Sequence, residues 1–289
     1  MGKFLYRSIR VLVVVGILLG VGCANVPPDG QRARDQVTHL IPVARTVESC
    51  RNTVRDATQR SGQALPSSAI KMLLWNVFKE QRAHWDDDWS TLARDKHLVL
   101  IQEAVHGSRS AGAQGNLSHW AFAPGYQKEG QVTGVATGSQ VPPLTQCHLS
   151  DLEPWLRTPK ASLITQYRLT DSEQRLLVAN VHSINFSIGV AAFAKQLKQI
   201  KEVLARHRGP IILAGDFNTW NPRREAILDR LAQGLRLEPA EFAIDKRRTV
   251  FNRPVSHIYT RGLKLNNSTT LAVTTSDHNP IVAEFSVEL

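Results

Sequence analysis

The sequence predicts a layered α/β domain over residues 68–289, and three observations carry that prediction. Short runs of Val, Ile and Leu recur between polar or Gly/Pro punctuation, the pattern of buried strands. Two segments among them place apolar residues at helical spacing. The composition, 42% hydrophobic and 21% charged over 289 residues, is too apolar for a disordered chain and too charged for a multi-span membrane protein. The 18 Gly and 14 Pro follow no period, which excludes collagen-like and low-complexity readings.

The chain starts with Lys3, Arg7 and Arg10 ahead of Val11–Gly22, a 12-residue apolar run. A membrane-spanning helix needs about 20 such residues, so the run reads as the core of a signal peptide over 1–22. Small residues before Cys23 resemble a bacterial lipobox, although Leu19 stands four places before the cysteine where three is usual. The expectation is a lipoprotein lipidated at Cys23, anchored to a membrane of the bacterial envelope and facing the periplasm. The alternatives are an uncleaved inner-membrane anchor or a cytoplasmic protein. The formal charge is +10, and removing the three basic residues of the signal leaves 32 basic against 25 acidic residues, or +7. That balance suits polyanions: nucleic acid, phosphate esters or an anionic surface.

Residues 23–67 read as a tether and N-terminal arm. Pro27–Gly30 signals a turn, and the polar stretch 35–60 with sparse apolar positions fits a helix interrupted at Pro42. Cys50 and Cys147 lack C-x-x-C spacing, so a structural zinc site is not indicated. An oxidising periplasm would let them pair. The spacing alone favours two unrelated thiols.

Strands follow at 72–77, 97–103, 161–167, 176–182, 210–216, 257–260 and 280–285. A helix fits 190–207, where Phe193, Leu197, Ile200 and Leu204 are spaced by three and four and Gly209-Pro210 stops the pattern. Another fits 222–233, opened by Asn221 and Pro222.

Polar residues collect at the ends of these runs. Asn76 ends the first, Gln102 and Glu103 the second, Asn180 and His182 the fourth, and Asp216 and Asn218 the fifth. Ser276-Asp277-His278-Asn279-Pro280 precedes the last. Ligands of layered α/β proteins gather at strand ends. Phosphate-ester hydrolysis needs this set: carboxylates for a hard cation, a carboxylate to deprotonate water, and imidazole or amide donors for the oxyanion. Any one strand-end Asn or Glu is more often a turn or cap residue. Five clusters in one chain are not explained that way.

Trp75-Asn76-Val77, Gln102-Glu103, Asn180-Val-His182, Gly215-Asp-Phe-Asn218 and Ser276-Asp-His278-Asn-Pro280 resemble, in that order, the endonuclease/exonuclease/phosphatase superfamily. Residues 74–85 and 180–190 are most similar to its bacterial YafD-like branch. The resemblance covers 68–289. It implies a four-layer α/β sandwich, two central mixed β-sheets flanked by helices. It also implies a phosphoesterase using Mg²⁺, with Mn²⁺ as the other candidate, and acting as a monomer. Glu103 would be the main metal ligand with Asn76 beside it. Asp216 would activate water, Asn218 and Asn180 would bind the phosphate, and Asp277 would serve a second metal or support a histidine. His278 would face the scissile phosphate and His182 would assist the leaving group. DNA or RNA is the favoured substrate, with a lipid headgroup as the alternative.

One departure is sharp. Where relatives carry an Asp that holds the catalytic histidine, this chain has Ser256, with Asp245 as a possible substitute carboxylate. A serine brings no charge, so weakened activity or a non-catalytic binding module also fits. Among lesser candidates, Asp86-Asp87-Asp88 reads as a solvated helix start. Lys160 and Arg168 read as surface charge that can reach phosphate, and 245–248 as a basic turn. Trp75 and Trp220 read as core and cleft wall.

Overall fold

Two β-sheets packed face to face organise the chain in a computed structural model, which describes residues 41–57, 62–108 and 115–288. The signal-type segment 1–22 and Cys23 lie outside the described residues. In chain order, the elements begin with β1 (Val43–Ala44), α1 (Val47–Asp56), β2 (Ile70–Asn76), α2 (Trp85–Leu92), β3 (Leu98–Val105), β4 (His119–Lys128) and β5 (Gln131–Ser139). Then come β6 (Thr145–Leu152), β7 (Pro159–Arg168), β8 (Arg175–His182), α3 (Ala191–Leu204), β9 (Ile211–Asp216) and α4 (Pro222–Leu235). The chain continues through β10 (Glu238–Pro239), β11 (Thr249–Val250), β12 (Arg253–Pro254), β13 (Ser256–Arg261), β14 (Leu263–Thr270) and β15 (Ile281–Val287).

The first sheet runs β1-β6-β7-β8-β9-β13-β10 and the second β14-β15-β2-β3-β5-β4. Both are mixed: β8 and β9 are parallel, as are β2 and β3, while β7–β8 and β3–β5 are antiparallel. Helices α1, α3 and α4 cover the outside of the first sheet, and α2 the outside of the second, through Trp89 against Trp75 and Ile101. The order helices, sheet, sheet, helix is the four-layer sandwich.

The two-residue period of a strand decides which side chains meet between the sheets. Met72 and Leu74 of β2, Leu98 and Leu100 of β3, Leu176 and Val178 of β8, and Ile212 and Ala214 of β9 share one buried cluster. Continuing each alternation by one step reaches Asn76, Gln102, Asn180 and Asp216. The inner faces therefore turn from apolar to polar at the same end of the sandwich. Burial of the apolar part contributes about 1.5–3 kcal/mol per large side chain, which fixes the register that aligns the polar ends.

All seven expected strands form, as do both helices, with Asn221 capping α4 through Arg224 N. The long strands β4, β5, β6 and β14 went unread. β5 is interrupted by Gly134 and Gly138, β4 carries Pro124 and Gly125, and β14 is largely polar. Gly138 packs where a Cβ would meet Val99 and Trp120, so its presence reflects tertiary contact rather than strand propensity.

Residues 43–56 pack against the first sheet, with β1 beside β6 and Cys50 and Val54 of α1 in the outer core. Thr46 and Ser49 close a capping box on α1. Here the reading of Cys50 and Cys147 as unrelated thiols is corrected: they form a disulfide, with Cα atoms 5.3 Å apart across 97 residues of sequence. Ala44 pairs with Cys147, and that long-range pairing brings the two thiols together. Closing a loop of this length stabilises a fold by about 4–5 kcal/mol in the chain-entropy account.

His148, next to that bridge, is buried with both ring nitrogens unpartnered. Burial, reinforced by Arg45, pushes its pKa down to about 4. Its folded pKa lies below the unfolded value, so its stabilising effect is present above about 6.5 and is lost as pH falls toward 4. We predict that melting temperature drops between pH 7 and 4.5, and that His148→Phe reduces this drop. An unchanged drop in the variant, read by calorimetry, would refute the assignment.

Candidate active site

The polar ends of β2, β3, β8 and β9 open into a cleft of about 460 Å³ lined by Lys79, Glu103, Lys160, His182, Asp216, Asn218, Asp277 and His278. Asp216 is its centre. Asn76 Nδ2 donates to Asp216 Oδ2 at 3.1 Å, and the backbone N–H of Asn218 donates to Oδ1 at 3.1 Å. His182 Nε2 stands 3.8 Å and His278 Nε2 3.7 Å from the same Oδ2. One carboxylate thus faces two imidazoles delivered by different parts of the chain.

Local backbone chemistry sets this arrangement. Gly215 is the only residue that fits its place, because a Cβ there would lie 1.9 Å from Val181 O. The close approach keeps β9 in register with β8, which pairs His182 with Asp216. Glu103 would fall on the outer face by simple alternation. A bulge between Gln102 and Ala104, with Glu103 at φ 53°, turns it into the cleft. Asn218 also holds a left-handed φ of 49°, and its amide donates to Ser183 O at 3.1 Å. Strain of this kind, of order 1–3 kcal/mol per residue, collects at functional sites.

Lys160 Nζ lies 3.0 Å from His182 Nε2. Burial, then Lys160, His278 and Lys79, hold the His182 pKa well below its ordinary value. The ring is neutral and accepts the Lys160 proton at Nε2, so its own hydrogen is on Nδ1. Ser276 Oγ donates to Asn76 O at 2.6 Å and accepts from His278 N at 3.1 Å, and Trp75 Nε1 donates to His278 O at 2.9 Å. Those bonds seat the His278 loop on the end of β2.

Among the described residues, no three His, Cys, Asp or Glu stand close enough to cage a metal alone. Two buried carboxylate oxygens in the cleft, Glu103 Oε2 and Asp277 Oδ1, nevertheless have no hydrogen-bond partner. Lys79 Nζ approaches Glu103 Oε2 to 2.9 Å without an aligned hydrogen bond. Hard oxygen donors left unsatisfied in a phosphate-sized cleft fit Mg²⁺, which binds through one or two carboxylates and completes its shell with water and phosphate.

A model of the Endonuclease/Exonuclease/phosphatase family matches residues 73–278. The chain belongs to that family. It is 39% identical over 239 residues to UPF0294 protein YE0917 of Yersinia enterocolitica, covering 79% of this chain and 91% of that one. That relative places it in the YafD-like branch. An endonuclease/exonuclease/phosphatase structure from Beutenbergia cavernae superposes with TM-score 0.59 at 14% identity, covering 76% and 72% of the two chains. The human Nocturnin catalytic domain with bound sulfate gives 0.56 at 16%, covering 80% and 98%. D. rerio TDP2 complexed with single strand DNA product gives 0.54 at 17%, covering 76% and 100%. These likenesses show the shared fold, and family membership places the chain among hydrolases of phosphate esters.

Within this family site, Glu103, His182, Asp216, Asn218, Asp277 and His278 line one cleft, and Lys160 joins them. Asn76 is beneath it: its Nδ2 is on Asp216 and its Oδ1 accepts Phe78 N–H at 3.1 Å, leaving one lone pair for a cation. Asn180 does not reach substrate space. It is fully buried between the sheets, where its Oδ1 accepts from Gln102 Nε2 at 2.7 Å and its Nδ2 donates to Ala136 O at 2.8 Å. Alternation with Leu176 and Val178 puts it there.

Lys79, Glu153 and Arg224 were missed by sequence reasoning. Glu153 is buried and accepts from the backbone of Asn185 at 2.7 Å and Phe186 at 3.1 Å, and from Thr158 Oγ1. Arg224 is fully buried and donates to Asn218 O at 3.2 Å, Asn185 O at 2.7 Å and Ser187 Oγ at 3.0 Å. Both pin loop 183–188 against the cleft. In the sequence Arg224 looks like a solvated charge in the first helical turn, and Glu153 like part of a turn.

Ser256 lies where the departure places it, with Oγ 3.4 Å from His278 Nδ1. Asp245 does not stand in for the missing carboxylate, because it is engaged by Arg247 at 2.7 Å. Among the described residues, the group facing His278 Nδ1 is therefore a hydroxyl and not a carboxylate. In a serine protease, neutralising the orienting Asp costs about 10⁴ in turnover. We predict that Ser256→Asp raises phosphate-ester turnover at least tenfold. Turnover equal to wild type would remove Ser256 as the limiting substitution.

Proposed function

We propose that this chain is a divalent-metal-dependent phosphodiester hydrolase with nucleic acid strands as substrate. The observation that carries the reading is Asp216, held by Asn76 and flanked by His182 and His278 at 3.8 and 3.7 Å. Glu103 and Asp277 would hold Mg²⁺ or Mn²⁺, which supplies polarisation of a phosphoryl oxygen and charge neutralisation. Asp216 takes a proton from the attacking water. Asn218 and His278 donate to the phosphoryl oxygens. The Lys160 ammonium, bridged to His182, serves the leaving oxygen. Tyr126, Leu156 and Phe186 line the same cleft, so the groups flanking a phosphodiester would meet aromatic and apolar surface. Bases stack on such walls.

The rim supports a second reading. Trp155, Leu156, Phe186 and Ile188 are exposed by 63, 57, 52 and 76%, which also suits a lipid phosphodiester. The deciding experiment is Mg²⁺-dependent hydrolysis of bis-p-nitrophenyl phosphate, single-stranded and plasmid DNA, RNA and sphingomyelin. We expect turnover of the nucleic acids, abolished by chelation and lowered about 10³-fold by Asp216→Ala. Full activity in Asp216→Ala would sink the site assignment. Turnover of sphingomyelin alone would select the lipid reading, and silence on every substrate a binding module.

For location, the proposal is a lipoprotein of the bacterial envelope, held at Cys23. Palmitate should label the wild type and spare Cys23→Ala; equal labelling refutes the anchor.

A further inference from the structure

A second cavity, of about 480 Å³, lies at the end of the first sheet opposite the cleft. Its wall carries Arg51 and Arg55 of α1, Arg175 at the start of β8, and Arg206 and Arg208 between α3 and β9. Glu173 is the single acidic residue among those lining it. Arg55 is neutralised by Asp56 at 2.7 Å. Among the described residues, Arg51, Arg175, Arg206 and Arg208 have no carboxylate within ion-pair distance. Several guanidinium groups gathered round one cavity whose lining holds a single carboxylate, Glu173, repel one another, and an anion between them lowers that repulsion.

The cavity is held by the fold. His207 Nε2 donates to Arg175 O at 2.8 Å, which ties the α3–β9 turn carrying Arg206 and Arg208 to the start of β8. The Cys50–Cys147 disulfide clamps α1, and with it Arg51, to β6. The cavity is separated from the catalytic groups by the length of β8, from Arg175 to His182, or roughly 23 Å at about 3.3 Å per residue. It cannot be a subsite of the cleft.

Topology adds a second argument. β1 runs parallel to β6, whose Thr145 end pairs with Gln166 near this cavity and whose Leu152 end pairs with Pro159 near the cleft. The chain preceding Val43 therefore reaches the sheet from the arginine end.

We propose that this arginine cavity binds a phosphate-bearing anion, supplied by the headgroup of an anionic lipid or by a soluble polyphosphate. Planar guanidinium forks match phosphate oxygens in pairs, and several converging forks hold one phosphate group from different sides. The site goes beyond the hydrolase reading and stands or falls independently of it.

The test compares the full chain with R51Q/R175Q/R206Q/R208Q, with the milder R206Q/R208Q, and with K128Q/K195Q/K198Q/R230Q, which removes four charges elsewhere. The first probe is pyrophosphate, read as a rise in melting temperature. The second is flotation with phosphatidylglycerol against phosphatidylcholine vesicles, where the ratio cancels any contribution of the apolar N-terminus. We expect pyrophosphate to stabilise the wild type, or phosphatidylglycerol to be preferred at least tenfold, and the arginine variants alone to lose that effect. Loss of the vesicle preference identifies a lipid headgroup, and loss of the pyrophosphate effect alone a soluble polyphosphate. Both responses absent in the wild type, or equal loss in the lysine-based control, would overturn the proposal. Hydrolysis of bis-p-nitrophenyl phosphate should be unchanged in the arginine variants.

Discussion

The site depends on one buried contact between the two sheets. Gln102, at the end of β3, donates to Asn180, near the end of β8, at 2.7 Å, and Asn180 in turn donates to Ala136 O of β5. Glu103 follows Gln102 in the chain, and His182 lies two residues beyond Asn180. A slide of one sheet on the other would leave these amides unpaired in a dry interior, at about 1–3 kcal/mol for each lost group. The apolar layer beneath them is tolerant of direction, because burial of apolar surface is non-directional. The amide pair supplies alignment across the sheets that the apolar layer lacks, on which the approach of His278, seated on β2, to Asp216 of β9 depends, while β8–β9 pairing sets His182 beside Asp216.

Above that layer, the cleft is kept in shape by buried charge. Glu153 and Arg224 hold loop 183–188 through backbone hydrogen bonds, where a loop would otherwise be set by weak local preferences. Burial lowers the Arg224 pKa to about 10, with Glu153 opposing that shift, yet the guanidinium stays protonated at neutral pH. Removing Glu153 would take away the charge that offsets the burial of Arg224, while Glu153 also has Lys160 at 4.0 Å. The loop at the cleft wall is thereby tied to α4.

The positive balance of the chain has a geometry that a net charge conceals. Lys79 and Lys160 sit in the cleft beside carboxylates and imidazoles, where they bias local chemistry. Of the arginines of the second cavity, Arg55 is paired with Asp56, while Arg51, Arg175, Arg206 and Arg208 have no ion-pair partner among the described residues and lie at the other end of the strands. Three of the +10 belong to segment 1–22, and the cleft is lined by more carboxylates than cations, so the arginine cluster at the opposite pole is a feature separate from the family site.

What the sequence determined by itself was everything encoded in local order. Alternating apolar runs specified the inner strands, Asn221-Pro222 and Gly209-Pro210 specified helix ends, and the polar strand ends specified most of the residues that line the cleft. These are legible because period, capping and chain order are properties of neighbours in the chain. The tertiary structure decided what depends on residues far apart in sequence: the Cys50–Cys147 bridge and the placement of Asn180 between the sheets, whereas the engagement of Asp245 by Arg247, two residues on, is local. It also decided that Arg224 is core and that β5, with its two glycines, is a strand. In each of the long-range cases the same residue has a sound local reading as thiol, ligand, surface charge or turn. Only the packing of distant strands, by removing water or supplying a partner, selects the one that holds.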